Sequence, residues 1–297
     1  MKSGIVAVVG RANAGKSTLI NVLVGEKVAI VSPKPQTTRE RILGVLTRED
    51  YQIVFEDTPG IYKASSLLNE RMQRSTELAT KDVDVILFVL DAHDGLKDED
   101  VAALKRYATG KLPLVLALSK TDIMPKERIP ELVKSFDGIS GITKIVSLSA
   151  RRGKNLKKLV DELTKLLPEG EKIYGDDVIS DRSERYMIAE IMREKMLLKY
   201  DKEIPHGVAV IINTFEKQKN GVYDVNLDIV CEKQNHKAII IGKQGQALKE
   251  VSSFARQGME KFLGAKVFLT VYVKVKEDWR NDPSRLKEFG YGEAEMY

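Results

Sequence analysis

A run of small and basic residues near the N-terminus has the types and spacing of a phosphate-binding loop. Residues 10–17, GRANAGKS, match GxxxxGK[ST] between an apolar run and a helical pattern, as that loop requires. Such a loop directs backbone N–H groups and the positive end of a helix at phosphate oxygens. Lys16 is therefore predicted to reach the terminal phosphates of a nucleotide, and Ser17 to hold Mg²⁺. The alternative interpretation is a glycine-rich turn that binds nothing.

A second group of residues has the chemistry to complete a magnesium site. Residues 57–60, DTPG, follow an apolar run, so the Asp57 carboxylate can bind the metal and the Gly60 N–H can sense a γ-phosphate. A threonine pair lies between this stretch and the loop. Thr38, rather than Thr37, is predicted to complete the metal coordination when a γ-phosphate is present. A threonine pair in a loop can also form a simple turn.

The stretch SKTD at residues 119–122 carries a carboxylate suited to choosing a purine. Asp122 can accept hydrogen bonds from both N1–H and the exocyclic amine of guanine, whereas adenine offers no such pair. The aliphatic stem of Lys120 is predicted to cover the base plane. The backbone of residues 148–150, LSA, is predicted to contact the base edge. Guanine is therefore the predicted base.

In this order the motifs resemble the translation-factor class of P-loop GTPases, whose third motif is usually [NT]KxD. Ser119 occupies the first position, and because Ser is shorter than Asn we expect guanine affinity to fall by about 1–3 kcal/mol. Ile61 stands where Ras-like enzymes carry a water-orienting glutamine, so we expect slow intrinsic hydrolysis. Asn13 resembles the P-loop asparagine that holds potassium in some relatives, which adds K⁺ to the predicted cofactor Mg²⁺.

The predicted site is made of three overlapping sets of residues. The nucleotide-binding residues are Gly10, Arg11, Ala12, Asn13, Ala14, Gly15, Lys16, Ser17, Asp57, Thr58, Pro59, Gly60, Ile61, Ser119, Lys120, Thr121, Asp122, Leu148, Ser149 and Ala150. The metal ligands are Ser17, Thr38 and Asp57. The catalytic residues are Asn13, Lys16, Thr38 and Gly60.

Apolar runs and helical patterns alternate along the first half of the chain. Short β-branched runs predict strands, and the stretches between them predict helices. The strands are predicted at 5–9, 52–56, 85–90, 114–118 and 144–148, and the helices at 16–24, 69–81, 98–107, 129–136 and 155–167. This alternation predicts an α/β domain with a mostly parallel sheet, whose ligands bind beyond the carboxyl ends of the strands.

The pattern changes in the second half. A helix is predicted at 184–199, strands at 207–216 and 222–231 joined through Asn220-Gly221, two helices split by GKQG at 242–245, and a strand at 266–275. This order resembles a type II KH domain, an α+β fold that holds about four nucleotides in a groove. The predicted RNA-binding residues are Ile239, Ile240, Gly242, Lys243, Gln244, Gly245 and Lys249. The alternative is a tight helix–helix turn with core isoleucines.

Charge and composition limit the class of partner. The chain has 48 basic and 43 acidic residues, yet residues 232–276 carry nine Lys or Arg against three acids, a balance that attracts polyanions. A solvated helix face would look the same. Cys231 is the one cysteine, which excludes a disulfide framework and fits a reducing cytoplasm. No apolar run reaches the length of about 18 residues that a membrane span needs.

The combination of these GTPase motifs with a C-terminal KH domain resembles the Era family over nearly the full length. Supporting stretches are EIPH at 203–206, VKVK at 273–276, WR at 279–280, Leu286, and FGY at 289–291. The departures are Ser119, and Ala12 and Ala14, where the family usually has Pro and Val in the loop. The resemblance implies a GTPase domain at 1–172, a linker at 173–180, a type II KH domain at 181–280 and a C-terminal tail helix at 281–297.

The same resemblance implies a function. Family members hydrolyse GTP, bind the 3′ end of 16S ribosomal RNA, act in small-subunit maturation and associate peripherally with the membrane. We therefore expect a cytoplasmic monomer that binds GTP, GDP, 16S rRNA and the small ribosomal subunit, with attachment to the inner face of the membrane. Two alternatives stay open: a non-catalytic RNA-binding protein with a degraded nucleotide site, and a membrane-surface switch that uses the basic stretch.

Overall fold

The β-branched runs predicted as strands form a six-stranded sheet in the computed structural model, which describes residues 1–60 and 65–292. The strands are β1 (Lys2–Val9), β2 (Ile42–Thr47), β3 (Tyr51–Asp57), β4 (Val85–Asp91), β5 (Leu114–Ser119) and β6 (Ile142–Ser147). Their order is β2-β3-β1-β4-β5-β6, and β2 runs antiparallel to β3 while the other pairs are parallel. The predicted mostly parallel sheet is confirmed.

Helices cover both faces of this sheet. They are α1 (Lys16–Val24), α2 (Leu67–Leu78), α3 (Asp98–Ala108), α4 (Arg128–Lys134) and α5 (Leu156–Leu166). Successive residues of a strand point to opposite faces, so Val6 and Val8 enter one buried cluster and Ala7 and Val9 enter the other. The first cluster packs on α1 and α5, and the second on α3. The carboxyl ends of the parallel strands are thereby held at one edge, where the site lies.

Strand β2 was not predicted from the sequence. Its first five residues are buried, so it reads as a continuous apolar run of the kind that periodicity cannot assign. Gly44 interrupts that run. Glycine is needed there, since a Cβ at position 44 would lie 2.8 Å from a methyl carbon of Ile20 on α1. Strand pairing at long range, Val45 opposite Val54, decides its structure.

Residues 173–180, the predicted linker, run along the outer edge of β2. The Val45 N–H donates to the carbonyl oxygen of Ile179 at 3.0 Å, and the Leu43 N–H donates to Asp181 Oδ1 at 3.0 Å. The amide oxygen of Gln52 accepts from the N–H groups of Ile173 and Tyr174 at 2.7 and 2.9 Å. Backbone groups that an edge strand would leave open are therefore satisfied by the chain itself.

The chain divides into two compact units. One contains residues 1–29, 38–60 and 72–181, and the other contains residues 30–37, 65–71 and 182–292. The second unit has α6 (Glu184–Lys199), β7 (Ala209–Lys217), β8 (Tyr223–Cys231), α7 (Gln234–Ile241), α8 (Gln246–Leu263), β9 (Val267–Val275) and α9 (Pro283–Glu288). Its sheet has the order β7-β8-β9, with β8 antiparallel to β7 and parallel to β9. Within the two described ranges no helix combines the length and apolar content that crossing a bilayer requires.

A loop from the N-terminal half of the chain belongs to this second unit. The Arg193 guanidinium on α6 donates to the carbonyl oxygens of Gln36 and Thr37, and it pairs with Glu190 at 2.7 Å. Glu194 Oε1 accepts from the N–H of Val31 at 3.0 Å. The residues Arg193, Glu190 and Glu194 are 1, 7 and 4% exposed, so these contacts are made away from water. Helix α6 thus holds residues 30–37 by their backbone.

Glu56 on β3 is a buried acid with an incomplete set of partners. Its Oε1 pairs with Arg41 at 3.2 Å, while its Oε2 is buried with no hydrogen-bond partner among the described residues. Burial raises the pKa of the Glu56 carboxyl to about 7, against the attraction of Arg41. A pKa raised above the ordinary value of 4.5 means that folding favours the protonated form, so stability is lost as pH rises from 4.5 through 7.

Glu56→Gln should therefore stabilise the protein more at pH 8 than at pH 5. The difference in unfolding free energy between variant and wild type should grow by about 2–3 kcal/mol over that range, because the amide is neutral at both pH values. Urea unfolding at the two pH values measures it. Glu49→Gln, at an exposed position, is the matched control for loss of one charge. If Glu56→Gln changed the unfolding free energy equally at both pH values, the raised pKa of the Glu56 carboxyl would be contradicted.

Candidate nucleotide site and RNA groove

The phosphate loop at residues 10–17 has backbone conformations that most side chains would not allow. Gly10 has φ +141°, and a Cβ there would lie 2.2 Å from the carbonyl oxygen of Val89. Asn13 also adopts a left-handed conformation, with φ 63°. Helix α1 begins directly after Gly15, so its free N–H groups open toward the loop. The loop therefore lies at the carboxyl end of β1 and leads directly into the N-terminus of α1, where phosphate oxygens are favoured.

Lys16 is a buried cation held inside this loop. Its Nζ donates to the carbonyl oxygens of Gly10 and Arg11 at 2.9 and 3.0 Å, and the residue is 6% exposed. Burial lowers the pKa of Lys16 to about 8, against the attraction of Asp57. The amine is thus poised to gain from a nearby anion, as a lysine that meets phosphates should be.

Three side-chain oxygens converge beside Lys16. Ser17 Oγ lies 2.6 Å from Asp57 Oδ2 and 3.0 Å from Thr38 Oγ1, and Thr38 Oγ1 lies 3.3 Å from Asp57 Oδ2. Asp57 Oδ1 is buried with no hydrogen-bond partner among the described residues. Burial raises the pKa of the Asp57 carboxyl, while Lys16 and the two hydroxyls oppose that rise. This all-oxygen set, with one carboxylate oxygen unsatisfied, fits Mg²⁺.

The structure brings Thr38, and not Thr37, to this oxygen cluster. The Thr37 hydroxyl donates to the carbonyl oxygen of Lys34 at 2.6 Å and lies 2.8 Å from the Ser32 hydroxyl. Among the described residues no cluster of three or more His, Cys, Asp or Glu side chains could hold a metal. The hydroxyls are therefore what completes the donor set.

The DTPG stretch lies directly against the phosphate loop. A Cβ on Gly60 would lie 2.6 Å from the Ala12 nitrogen, so only glycine allows this approach. The Thr58 hydroxyl donates to the carbonyl oxygen of Val8 at 2.8 Å, and the Thr76 hydroxyl donates to that of Pro59 at 3.2 Å. These bonds fix the backbone through which Gly60 would sense a γ-phosphate. Ile61, also predicted to bind nucleotide, lies outside the described residues.

Arg11 uses its side chain for structure. Its Nε lies 2.8 Å from both carboxylate oxygens of Asp100, and its Nη1 lies 3.1 Å from Asp94. Arg11 was predicted to bind nucleotide, but only its backbone faces the interior of the loop. Asp94 and Asp100 had no signal in the sequence analysis, because their partner lies more than 80 positions away.

Ser119 reaches the phosphate loop despite its short side chain. Its hydroxyl donates to the carbonyl oxygen of Ala14 at 2.6 Å, in a buried position. The short serine side chain thus reaches the loop, while the expected loss of guanine affinity stays a prediction. Lys120 adds a second tie, since its Nζ donates to the Asn13 carbonyl oxygen and to Asp91 Oδ2, each at 2.7 Å.

The predicted base-selecting carboxylate is exposed and oriented by a neighbour. Asp122 is exposed, and a hydrogen bond from the buried Ser149 hydroxyl lowers the pKa of its carboxyl. The Thr121 hydroxyl donates to the Leu148 carbonyl oxygen at 2.9 Å and ties the two base-contacting stretches together. The Asp122 carboxyl is therefore held as an ionised acceptor, which is what the predicted recognition of guanine N1–H and its amine requires. Asp91, which anchors Lys120, was missed; its place at the carboxyl end of the apolar strand β4 was the available signal.

The GxxG stretch forms the turn between α7 and α8. Gly242 has φ +72°, and a Cβ there would lie 2.6 Å from the Ala247 Cβ, so the close approach depends on glycine. Lys243, Gln244 and Lys249 are exposed around this turn. The arrangement lets backbone come near a nucleic-acid strand with cations beside it.

The two isoleucines predicted to contact bases differ in position. Ile239 is 52% exposed, whereas Ile240 is fully buried within the core of the second unit. The prediction that Ile240 contacts a base is therefore wrong. Adjacent helical positions point about 100° apart, and here Ile239 points to water while Ile240 points into the core. The Ile240 carbonyl oxygen accepts from the Tyr200 hydroxyl at 2.8 Å, which fixes the end of α7.

Two protein-family models match the chain. Residues 5–120 match a family described as a 50S ribosome-binding GTPase, and residues 203–280 match the KH domain. The first match spans the loop, DTPG and part of the SKTD stretch, and the second spans the GxxG turn. The α/β GTPase fold followed by a KH domain is confirmed.

Curated relatives cover nearly the whole chain. GTPase Era of Clostridium kluyveri is 44% identical over 291 residues, which is 98% of this chain and 99% of that protein. GTPase Era of Clostridium novyi is 45% identical over 292 residues, again 98% and 99% of the two chains.

Two solved structures are similar over the same length. A variant of Aquifex aeolicus Era bound to GDP·AlF4⁻ superposes with a TM-score of 0.94 at 39% identity, covering 98% of this chain and 100% of that one. Era in complex with MgGDPNP and nucleotides 1506–1542 of 16S ribosomal RNA has the same TM-score and identity, covering 98% and 99%.

Nucleotide binding should take up protons at alkaline pH. A group whose pKa is about 8 loses its proton as pH rises through 8, and an incoming triphosphate restores it. We expect uptake of about half a proton at pH 8 and about three quarters of a proton at pH 8.5, which is above the range where phosphates titrate and below the range where guanine N1 titrates. Calorimetry of GDP and GTP binding in buffers of different ionisation enthalpy measures this. Residual binding by Lys16→Arg should show no uptake, and uptake in that variant would assign the proton elsewhere.

Proposed function

The chain belongs to the Era family of GTPases, and from that premise we propose that it is a GTP-controlled switch that binds the 3′ end of 16S ribosomal RNA during small-subunit assembly. The observation that carries the proposal is the convergence of Ser17, Thr38 and Asp57 beside Lys16, in one chain with a GxxG turn. A relative bound to MgGDPNP and 16S rRNA supports both ligands.

In this proposal the site binds Mg²⁺ and the nucleotide with separate groups. The backbone amides of residues 10–17 and Lys16 hold the phosphates, Ser17 and Asp57 hold the metal, and Asp122 selects guanine. Thr38 joins the metal when a γ-phosphate is present. Magnesium would neutralise charge on the β- and γ-phosphates, which is the chemistry it supplies in such sites.

The switch rests on the division of one loop between two sets of contacts. Residues 30–37 are held by α6 through Arg193 and Glu194, and the next residue, Thr38, lies in the oxygen cluster. Loss of the γ-phosphate would remove the ligand that holds Thr38 and leave the α6 contacts to determine the loop's position. Nucleotide state would thereby reach the RNA-binding half of the chain.

Hydrolysis is proposed to depend on a potassium ion. Lys16 is the described cation that would lie near the γ-phosphate. Its amine already donates to the carbonyl oxygens of Gly10 and Arg11, so only part of its charge would act on the phosphates. An ion beside Asn13 would supply further positive charge in the transition state. This fits slow hydrolysis by the protein alone, since isoleucine at position 61 has no group that polarises water.

The RNA is proposed to lie along the GxxG turn. Gly242, Lys243, Gln244 and Gly245 approach its backbone, Lys249 neutralises a phosphate, and Ile239 contacts a base. About four nucleotides fit such a groove. The rival function, a non-catalytic RNA-binding protein, is less favoured because Ser119 keeps its tie to the loop.

Further parts of the proposal concern the whole protein. The domains are a GTPase at 1–172, a linker at 173–180, a KH domain at 181–280 and a tail helix at 281–297, of which residues 293–297 lie outside the described part. The protein is proposed to be a monomer in the cytoplasm, to act on the small ribosomal subunit and to associate peripherally with the inner face of the membrane.

GTP turnover with and without RNA tests the function. The purified protein should hydrolyse GTP and not ATP, faster in K⁺ than in Na⁺, and faster still with an RNA that carries the 3′ end of 16S rRNA. Asn13→Ala should remove the potassium dependence, and Lys243→Glu should reduce the effect of RNA. Equal turnover in the two salts would refute the potassium role, and no turnover under any condition would favour the non-catalytic alternative.

Replacement of the Glu190–Arg193 pair tests the switch. The double variant Glu190→Met, Arg193→Met avoids an unpaired buried charge and keeps side-chain volume. We expect GDP affinity to stay within about twofold and the ratio of GTP to GDP affinity to fall about tenfold, because Thr38 loses its positioned loop. Fluorescent nucleotide titration gives the ratio. Arg256→Met with Glu260→Met, a partly exposed pair on α8, is the control. An unchanged ratio would show that α6 does not act on Thr38.

A further inference from the structure

A groove lies between α6 and α8, on a part of the second unit that the GxxG turn does not use. Its volume is about 510 Å³. Val251 forms part of its lining and is fully buried, and Gly258 leaves out a side chain, since a Cβ there would lie 3.0 Å from a methyl carbon of Ile191. Leu198 on α6 and Phe254 on α8 form its walls. We call it the α6–α8 groove.

The walls of the α6–α8 groove are apolar and open to water. Leu198 is 51% exposed and Phe254 is 59% exposed. Single exposed apolar residues are ordinary on protein surfaces, but two large ones that face a concave site mark a place where another apolar surface can be buried. The apolar area that they offer is the main source of binding energy here.

The rim of the α6–α8 groove is basic. Lys195, Lys199 and Lys261 line it, and no acidic side chain does. Lys195 pairs with Glu194 at 2.8 Å and Lys199 with Glu250 at 2.6 Å, so part of the positive charge is already balanced outside the groove. The remaining charge suits a ligand with a few carboxylates more than a polyphosphate chain.

The groove is also separate from the proposed RNA site around α8. Lys249 and Phe254 are five positions apart, which places them about 140° apart around a helix. Apart from the lysine amines, Gln257 is the one polar side chain that lines the groove, so there is little to read base edges.

We propose that the α6–α8 groove docks an acidic amphipathic helix of a partner protein. Two apolar side chains of that helix, three or four positions apart, enter between Leu198 and Phe254, and flanking carboxylates reach Lys195, Lys199 and Lys261. This is the helix-in-groove mode of recognition, in which apolar anchors give affinity and charge gives orientation. The surface serves an interaction in addition to GTP hydrolysis and RNA binding.

A synthetic helix provides the first test. The probe is a fluorescein-labelled peptide of about 15 residues with Leu at i, i+4 and i+7 and Glu on its flanks. It should bind the full-length protein, while a scrambled peptide and one with Lys in place of Glu should bind at least about tenfold more weakly. The double variant Leu198→Ser, Phe254→Ser should lower affinity for the probe by about tenfold or more.

A matched variant distinguishes binding in the groove from nonspecific hydrophobic binding. Phe268→Ser removes a phenylalanine that is 65% exposed on β9, and it should leave probe affinity unchanged. Lys261→Glu should weaken binding about threefold and reduce its salt dependence. GTP turnover and RNA binding of the Leu198→Ser, Phe254→Ser variant should match wild type, so failure here is distinct from failure of the proposed function. Equal binding by the groove variant and the Phe268→Ser control overturns the proposal.

Crosslinking in cells identifies the occupant. A photoreactive amino acid at position 257 should capture a protein segment with the predicted acidic and apolar pattern. That segment, made as a peptide, must bind wild type and lose affinity in the Leu198→Ser, Phe254→Ser variant. Capture of RNA, lipid or a second copy of this chain overturns the proposal, as does capture of no protein segment. Binding of the chain to phosphatidylglycerol vesicles that is lost in the same variant also overturns it.

Discussion

The nucleotide site depends on two buried opposite charges, Lys16 and Asp57, that the fold places beneath one loop. Neither charge is fully compensated by its surroundings. Burial lowers the pKa of Lys16 to about 8, and one carboxylate oxygen of Asp57 has no hydrogen-bond partner among the described residues. Lys16 is the first residue of α1 and Asp57 is the last residue of β3, so regular elements of the fold hold both groups in place. A phosphate chain with its metal supplies what both lack, which is the physical meaning of a preorganised site.

At the predicted base end of the site, Ser119 contacts the phosphate loop although it differs from the usual residue at that position. Ser119 departs from the usual Asn or Thr, yet its hydroxyl bonds the Ala14 carbonyl oxygen at 2.6 Å. The small side chain of Ala14, which is 3% exposed, belongs to the core cluster beneath the loop. Ser119 and Lys120 together tie this stretch to the phosphate loop, through the carbonyl oxygens of Ala14 and Asn13.

The parts of the site that the sequence predicts well are those whose chemistry is local. Residues 10–17 must form a loop whatever else folds, because glycine spacing and the following helix determine it. Partners distant in sequence carried no such signal. Asp100 meets Arg11 across 89 positions, and β2 is a strand because β3 pairs with it. The error at Ile240 is of a third kind: the turn was predicted correctly, but the sequence did not show which of two adjacent isoleucines points into the core.

Helix α6 joins the two uses of the second unit. Glu190, Arg193 and Glu194 face residues 30–37, while Lys195 and Leu198 line the α6–α8 groove. One buried carboxylate belongs to both: Glu194 accepts from Val31 through Oε1 and pairs with Lys195 through Oε2. An acidic ligand that pairs with Lys195 would compete for a cation that Glu194 now holds, and the same carboxylate also holds residues 30–37. Since linkage is reciprocal, a nucleotide state that moves residues 30–37 and alters this carboxylate would change affinity at the groove by the same factor.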